Sequence, residues 1–200
     1  MKHFVPFAAS ALAAAVVLTL CPGPGEGEIY RDVLRLRVIA RSDSEEDQAA
    51  KLAVRDAVLA LIPDRLGGCS SREEAEAEIL AMGDEITKAA EDTLAGLGQD
   101  LPVTLSLGRE WSPRRDYGSA VLPAGMYPTL RVTVGEGKGH NWWCVLFPGI
   151  CVRYASKEDD SIPVGLTPEE YRIITTSGNG PLRVRFWVLE KIAELCRAFA

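Results

Sequence analysis

The sequence predicts an α+β fold: a single domain with a mixed or antiparallel sheet of about four to five strands, packed with two long helices and a C-terminal helix. Three observations carry that prediction. Period-two stretches at 33–40, 101–107 and 129–134 alternate apolar with polar residues, as half-buried strands do. Apolar stripes at steps of three and four run through 44–62 and 70–98, as on amphipathic helices. The two kinds of segment do not alternate as regular βαβ units, which favours α+β over α/β.

The first strand is VLRLRVIA, Val33 to Ala40. Leu34, Leu36 and Val38 share one face, and Arg35 and Arg37 share the other, so this strand is expected to have one wet side. RSDSEED follows. Ser42 with Glu45, or Ser44 with Asp47, offers a capping box that starts a helix. Its apolar stripe is Val54, Val58, Leu61 and Ile62, and Pro63 is expected to stop it. After Gly67-Gly68, Ser70 or Ser71 caps a longer helix. Its stripe is Ala75, Ile79, Met82, Ile86, Ala89, Ala90, Leu94 and Leu97, and Gly96 and Gly98 end it. Leu101 to Leu107 reads as a second strand. Tyr117–Leu122 and Thr129–Val134 flank the turn LPAGMYP as two more. Trp142–Phe147 is a short, wholly apolar fifth. Thr167 and Pro168 open a short helix, and Leu182 to Phe199 carries a helical stripe to the end of the chain.

The N-terminus sets the expected compartment. Lys2 and His3 precede a charge-free apolar run that ends near Gly25, the layout of a secretory signal. Residues 1–25 are therefore read as a signal peptide or an uncleaved signal anchor. A run of about 20 apolar residues is long enough to span a bilayer. Cys21 ends the run, but Leu20 stands where a lipidation signal has a small residue. Residues 28–153 form the expected domain, and 154–200 a C-terminal extension. Export permits disulfides. Cys144 and Cys151 are closest in sequence, but a two-residue hairpin at Pro148-Gly149 would place them diagonally. Diagonal Cβ atoms lie about 7–8 Å apart, whereas a disulfide needs about 3.8 Å. The pair is thus a disulfide across an irregular loop, or two small buried hydrophobes.

Net charge narrows the function. The chain has 22 Lys+Arg, 28 Asp+Glu and a formal charge of −6, against the basic face of a nucleic-acid binder. Membrane contact is expected only through the leader. GEGKG, Gly135 to Gly139, resembles a phosphate loop but lacks its framing residues. Val132 stands where the first glycine belongs, and Gly139 where a Ser or Thr belongs. It reads better as a glycine turn between strands. His140 and Cys144 supply the residue types of a thiol enzyme, yet their spacing brings them together only on a helix, and GHNWWCVLF does not read as one. An exported thiol or cell-wall-acting enzyme using Cys144 and His140 is the competing functional class. No catalytic set, metal site or cofactor is assigned. Trp142 and Trp143 are adjacent, so on a strand one of them faces away from the main core. That residue is either a binding anchor or lies under a second layer.

Two segments carry a family resemblance. LRLRVIARSDSEEDQAAKLAVRDAVL (Leu34–Leu59) and LPAGMYPTLRVTVGEGKGHNWWCVLFPGICV (Leu122–Val152) closely resemble stage II sporulation protein R. The likeness covers about Tyr30 to Val152 and extends to the tail only loosely, through LRVRFWVLEKI. It implies a signalling protein of endospore-forming bacteria, exported from the forespore to the intermembrane space. There it would activate a membrane-embedded aspartic protease of the mother cell, which processes the sigma E precursor. The resemblance implies a protein ligand rather than an enzyme. By motif match, Asn141, Trp142, Trp143, Cys144 and Cys151 are the characteristic surface or its scaffold. Arg41, Ser42, Asp43 and Ser44 form a second candidate partner-binding patch.

Overall fold

The structure, a computed structural model, describes residues 26–117 and 121–148, together with 166, 167, 170, 171 and 174. The leader, Cys151 and the helix expected from Leu182 lie outside these residues. The fold is α+β, as expected. In chain order it comprises α1 (Glu26–Asp32), β1 (Leu34–Ile39), α2 (Glu45–Leu66), α3 (Arg72–Ala81) and α4 (Gly83–Gly96). Then follow β2 (Val103–Ser112), β3 (Arg115–Asp116), β4 (Val121–Leu122), β5 (Gly125–Val134) and β6 (Asn141–Phe147). The main sheet is mixed, in the order β2-β5-β1-β6. β1 runs parallel to β5 and antiparallel to β6, and β2 runs antiparallel to β5. β3 and β4 make a separate two-stranded sheet.

The parallel β1–β5 pair needs a long crossover, which the helices provide. They cover one face of the sheet. Leu34, Leu36 and Val38 of β1, Leu130 and Val132 of β5, and Leu146 of β6 pack there against Val54, Val58 and Ile62 of α2. Ile79, Ile86 and Leu94 of α3 and α4 close that core.

The opposite face is not wet, contrary to the alternation of β1. Arg35 is 0% exposed. A smaller core of Ile29, Val33, Leu122, Tyr127, Val145, Leu166 and Ile174 covers that side. The Arg35 guanidinium donates to Ser112 Oγ and to the Tyr117 hydroxyl, and its carbon lies 5.2 Å from the Tyr127 ring centroid and 5.1 Å from that of Trp143. These hydrogen bonds and ring faces replace the water that an arginine on a wet face would have. Burial on both sides also explains the unbroken apolar run of β6.

Several boundaries differ from the sequence reading; β5 begins at Gly125 rather than Thr129, so that most of the turn expected at LPAGMYP is strand, and β4 is confined to Val121–Leu122. α2 continues through Pro63 to Leu66. A proline removes one helical hydrogen bond, but the extra turn places Leu66 in the main core beside Ile62. The second long helix is divided at Met82, whose φ of −98° and ψ of 15° leave the helical region. The apolar stripe stays in phase across the break, since Met82 N–H still donates to Glu78 O (3.0 Å) and Ile86 N–H to Met82 O (2.9 Å). β2 extends to Ser112, because every residue from Val103 to Ser112 has a partner on β5. Thr167 caps its segment as expected, with its Oγ1 accepting from Glu170 N–H at 3.3 Å.

Replacing Leu36 with Ala should lower unfolding stability by about 2–5 kcal/mol, since it opens a cavity between sheet and helices. Leu80→Ala, at a side chain 66% exposed, should change stability by less than about 0.5 kcal/mol. Urea unfolding of the two variants beside the parent checks both values.

Candidate functional site

The two patches singled out in the sequence meet at one end of the sheet. β1 runs into Arg41–Ser44, and the glycine turn 135–139 delivers His140 and Asn141 into β6. Ile39 pairs with Asn141, and the ladder continues beyond the strands. Gly139 N–H donates to Ala40 O at 2.9 Å, and Lys138 N–H to Arg41 O at 3.1 Å. Two glycines of GEGKG have separate reasons. Gly137 has a φ of +61°, the left-handed region that side chains disfavour. Gly139 lies against the Ser42 carbonyl, into which any Cβ would collide. The stretch is thus a turn fitted onto 40–42, as the failed phosphate-loop pattern suggested.

Asp47 anchors the first half of the site. Ser44 Oγ accepts from Asp47 N–H at 3.2 Å, which is the N-cap bond of α2. The buried Asp47 carboxylate accepts from Ser42 Oγ (2.5 Å) and Arg41 Nε (3.0 Å) through one oxygen, Oδ2. The Ser42 hydroxyl above all, then Arg41, hold this carboxyl below its ordinary pKa against the opposing effect of burial. Asp43 joins the halves. Its Oδ1 accepts from His140 N–H at 2.5 Å and meets His140 Nδ1 at 2.5 Å. The backbone N–H of His140 is the main reason that the Asp43 carboxyl lies below its ordinary value. Underneath, buried Lys51 donates to Gln48 Oε1 (2.5 Å) and His140 O (3.3 Å). Burial lowers the Lys51 pKa, and the Asp43 charge works the other way.

The tryptophans lie behind this end rather than on it. Trp143 is 7% exposed. It stacks with both Arg35 and Arg37, each 5.1 Å from its ring centroid. Arg37 is held by Glu110 at 3.0 Å, and Glu110 also holds Arg131 at 2.9 Å. Trp143 therefore does face away from the main core, beneath a second layer. Trp142 is half-buried on the main-core side, with Arg55 of α2 4.9 Å over its ring. Asn141 is half-buried beside it. The outward side chains are His140 (79% exposed), Asp43 (54%), Lys138 (75%) and Glu136 (70%).

The thiol-enzyme pair is not assembled. Cys144 points into the main core. His140 is four residues back along an extended chain, about 13 Å away at the rise of a strand. Cys144 is not a free thiol, whereas Cys69 is free and buried. Cys151 lies outside the described residues, so its pairing with Cys144 stays an expectation. Among the described residues no three His, Cys, Asp or Glu side chains converge to hold a metal. Ser42 Oγ is committed to Asp47 rather than to His140. The arrangement is suited to presenting a fixed set of charges. Sequence reasoning weighed His140 with the cysteines, as a thiol pair with Cys144 or a zinc site, and missed its contact with Asp43. The two are 97 residues apart, and no local pattern pairs them.

Gly139→Ala should destabilise the protein by about 1–3 kcal/mol in thermal or urea unfolding, since backbone must move to admit a Cβ. Acid should loosen the His140 loop. A depressed carboxyl stabilises above its unfolded value and loses that effect as pH falls through its folded value. Protection of the His140 amide, corrected for intrinsic exchange rates, should therefore fall as pH drops below 3.8, the ordinary value for Asp43. Asp43→Ala should show fast exchange at every pH.

The family model described as stage II sporulation protein R matches residues 30–157, which include both halves of the site. Stage II sporulation protein R of Bacillus subtilis (strain 168) is 39% identical over 118 residues, 59% of this chain and 53% of that protein. The chain thus spans about half the length of the curated relative it matches. No solved structure matches it. With the matched residues running from α1 through the whole sheet and past β6, the chain belongs to the stage II sporulation protein R family.

Proposed function

We propose that this protein is an exported sporulation signal that activates a membrane-embedded aspartic protease of the mother cell, which then processes the sigma E precursor. Family membership over residues 30–157 carries this reading. The leader, in which Lys2 and His3 precede a charge-free apolar run, agrees with passage out of the forespore into the intermembrane space. The protein acts as a ligand. It shifts the protease toward its active state by binding that state more tightly than the inactive one.

The contact surface in this reading is the end of the sheet formed by Arg41–Ser44 and the His140 loop. Asp43, Lys138 and His140 point outward there on a backbone fixed by hydrogen bonds. Little ordering entropy would be lost when such a surface binds. Trp142 and Trp143 act as scaffold, since their rings are stacked by arginines of β1 and α2.

Coexpression of the full chain with the cognate protease and a tagged precursor in a non-sporulating host tests the reading. Cleavage should occur only when the chain is present. Lys138→Glu and His140→Ala should reduce cleavage at least about tenfold, as expected for loss of about 1.4 kcal/mol at a contact. Their melting temperatures should stay close to that of the parent. Undiminished cleavage by both variants would move the contact elsewhere. Cleavage without the chain, or none with it, would overturn the ligand reading.

A further inference from the structure

The outer edge of β2 is open. β2 stands at one end of the main sheet, and no described residue pairs with its far side. Thr104, Ser106, Gly108 and Arg109 are exposed there. The ladder to β5 fixes which backbone groups face outward. Gly135 N–H donates to Pro102 O at 2.9 Å, and the register continues from Val103 opposite Val134 without a shift. Bonded and non-bonded pairs alternate in an antiparallel ladder, so Thr104, Ser106, Gly108 and Glu110 bond to β5. Val103, Leu105, Leu107 and Arg109 turn their N–H and C=O away from it. Val103 agrees with this, since its N–H donates to Glu91 Oε1 of α4 at 3.2 Å. Among the described residues, none meets the N–H or C=O of Leu105, Leu107 or Arg109.

Edge strands are usually blunted by a bulge, a proline or charged side chains. β2 runs for ten residues with neither bulge nor proline. Its two charged side chains are drawn inward over the sheet rather than set along the edge. Arg109 Nη2 donates to Met126 O of β5 at 3.0 Å, and Glu110 is held by Arg37 of β1 and Arg131 of β5. Gly108 has no steric reason within the fold, because a Cβ there would meet nothing within 4 Å. A glycine inside a strand can mark a place where another backbone comes close.

We propose that this edge pairs with a second copy of the chain, β2 antiparallel to β2, in a two-fold dimer whose two four-stranded sheets become continuous. The open run is its own complement. With Leu107 opposite Leu107, Leu105 of each copy meets Arg109 of the other, and every open N–H and C=O gains a partner. The ladder ends at Val103, whose N–H is already taken. This register sets no like charges opposite one another: Glu110 faces Thr104, and Ser106 faces Gly108. Arg109 lies diagonal to Val103 of the second copy, beside the exposed Glu91 that accepts from Val103. A long side chain reaches across such a diagonal, so the two copies are complementary in charge as well. Half-buried Leu105 and Leu107 lose exposure at the same contact. The contact is a narrow strip at the low end of interface sizes, which makes the dimer a transient one. It stands independently of the signalling reading.

Hydrogen exchange of the full chain, read residue by residue at about 1 mM and about 10 μM, tests the pairing. On dilution, protection of the Leu105, Leu107 and Arg109 amides should fall at least about threefold. The Thr104, Ser106 and Gly108 amides, bonded to β5, should keep theirs. Sedimentation should show dimer giving way to monomer over the same range. Arg109→Pro should abolish the dimer, since a proline is tolerated where its missing N–H faced outward. Protection of β1 reports whether that variant is folded; if it is not, the alternating pattern of the parent decides. Monomer at both concentrations would overturn the proposal. Association without the alternating pattern, or retained by folded Arg109→Pro, would place the contact elsewhere and overturn it as well.

Discussion

The structure depends on the burial of β1 on both of its faces. One face contributes leucines and a valine to the helical core. The other contributes Arg35, which is 0% exposed and caged by Ser112, Tyr117, Tyr127 and Trp143. A buried guanidinium is tolerated only when hydrogen bonds and ring faces replace its water. The groups that do so come from β2, β5, β6 and the stretch after β3. Caging Arg35 therefore fixes the order of the sheet and the seat of the second layer together. Trp143 belongs to that cage, and this accounts for its burial without assigning it a partner.

The same strand determines where the site forms. β1 pairs with both β5 and β6, and the turn that joins those two strands must close over the end of β1. A close turn of this kind leaves no room for a Cβ against Ser42, hence Gly139. Asp47 and Asp43 then fix the surface from opposite directions. Asp47 draws Ser42 and Arg41 toward α2, while Asp43 holds the His140 backbone. The outward charges stand on a frame that is ordered before any partner arrives, and preorganisation of this kind favours tight association.

Much of the fold was legible in local patterns. The strand at Leu34–Ile39, the cap at Ser44 and the apolar stripes of the helices all follow from periods of two and 3.6. Glycines in the 135–139 turn were legible too, as a turn rather than a phosphate loop. The wet side assigned to Arg35 and Arg37 was not. Alternation reports that two faces differ, but it does not report what lies on the second face. Likewise Pro63 signals a helix end locally, yet the next turn is kept because Leu66 reaches the core.

The sequence alone determined the class of fold, most of the segments that form strands and helices though not α1 or β3, and the family to which the chain is similar. Each of these rests on residues near one another in the chain or on a recognisable string such as NWWCVLFP. Tertiary structure decided which patches become one site. Asp43 and His140 meet across 97 residues because β1 and β6 are antiparallel neighbours, and strand order is set by packing on both faces at once. No window along the chain contains that information, since it arises only when every strand has found its partner.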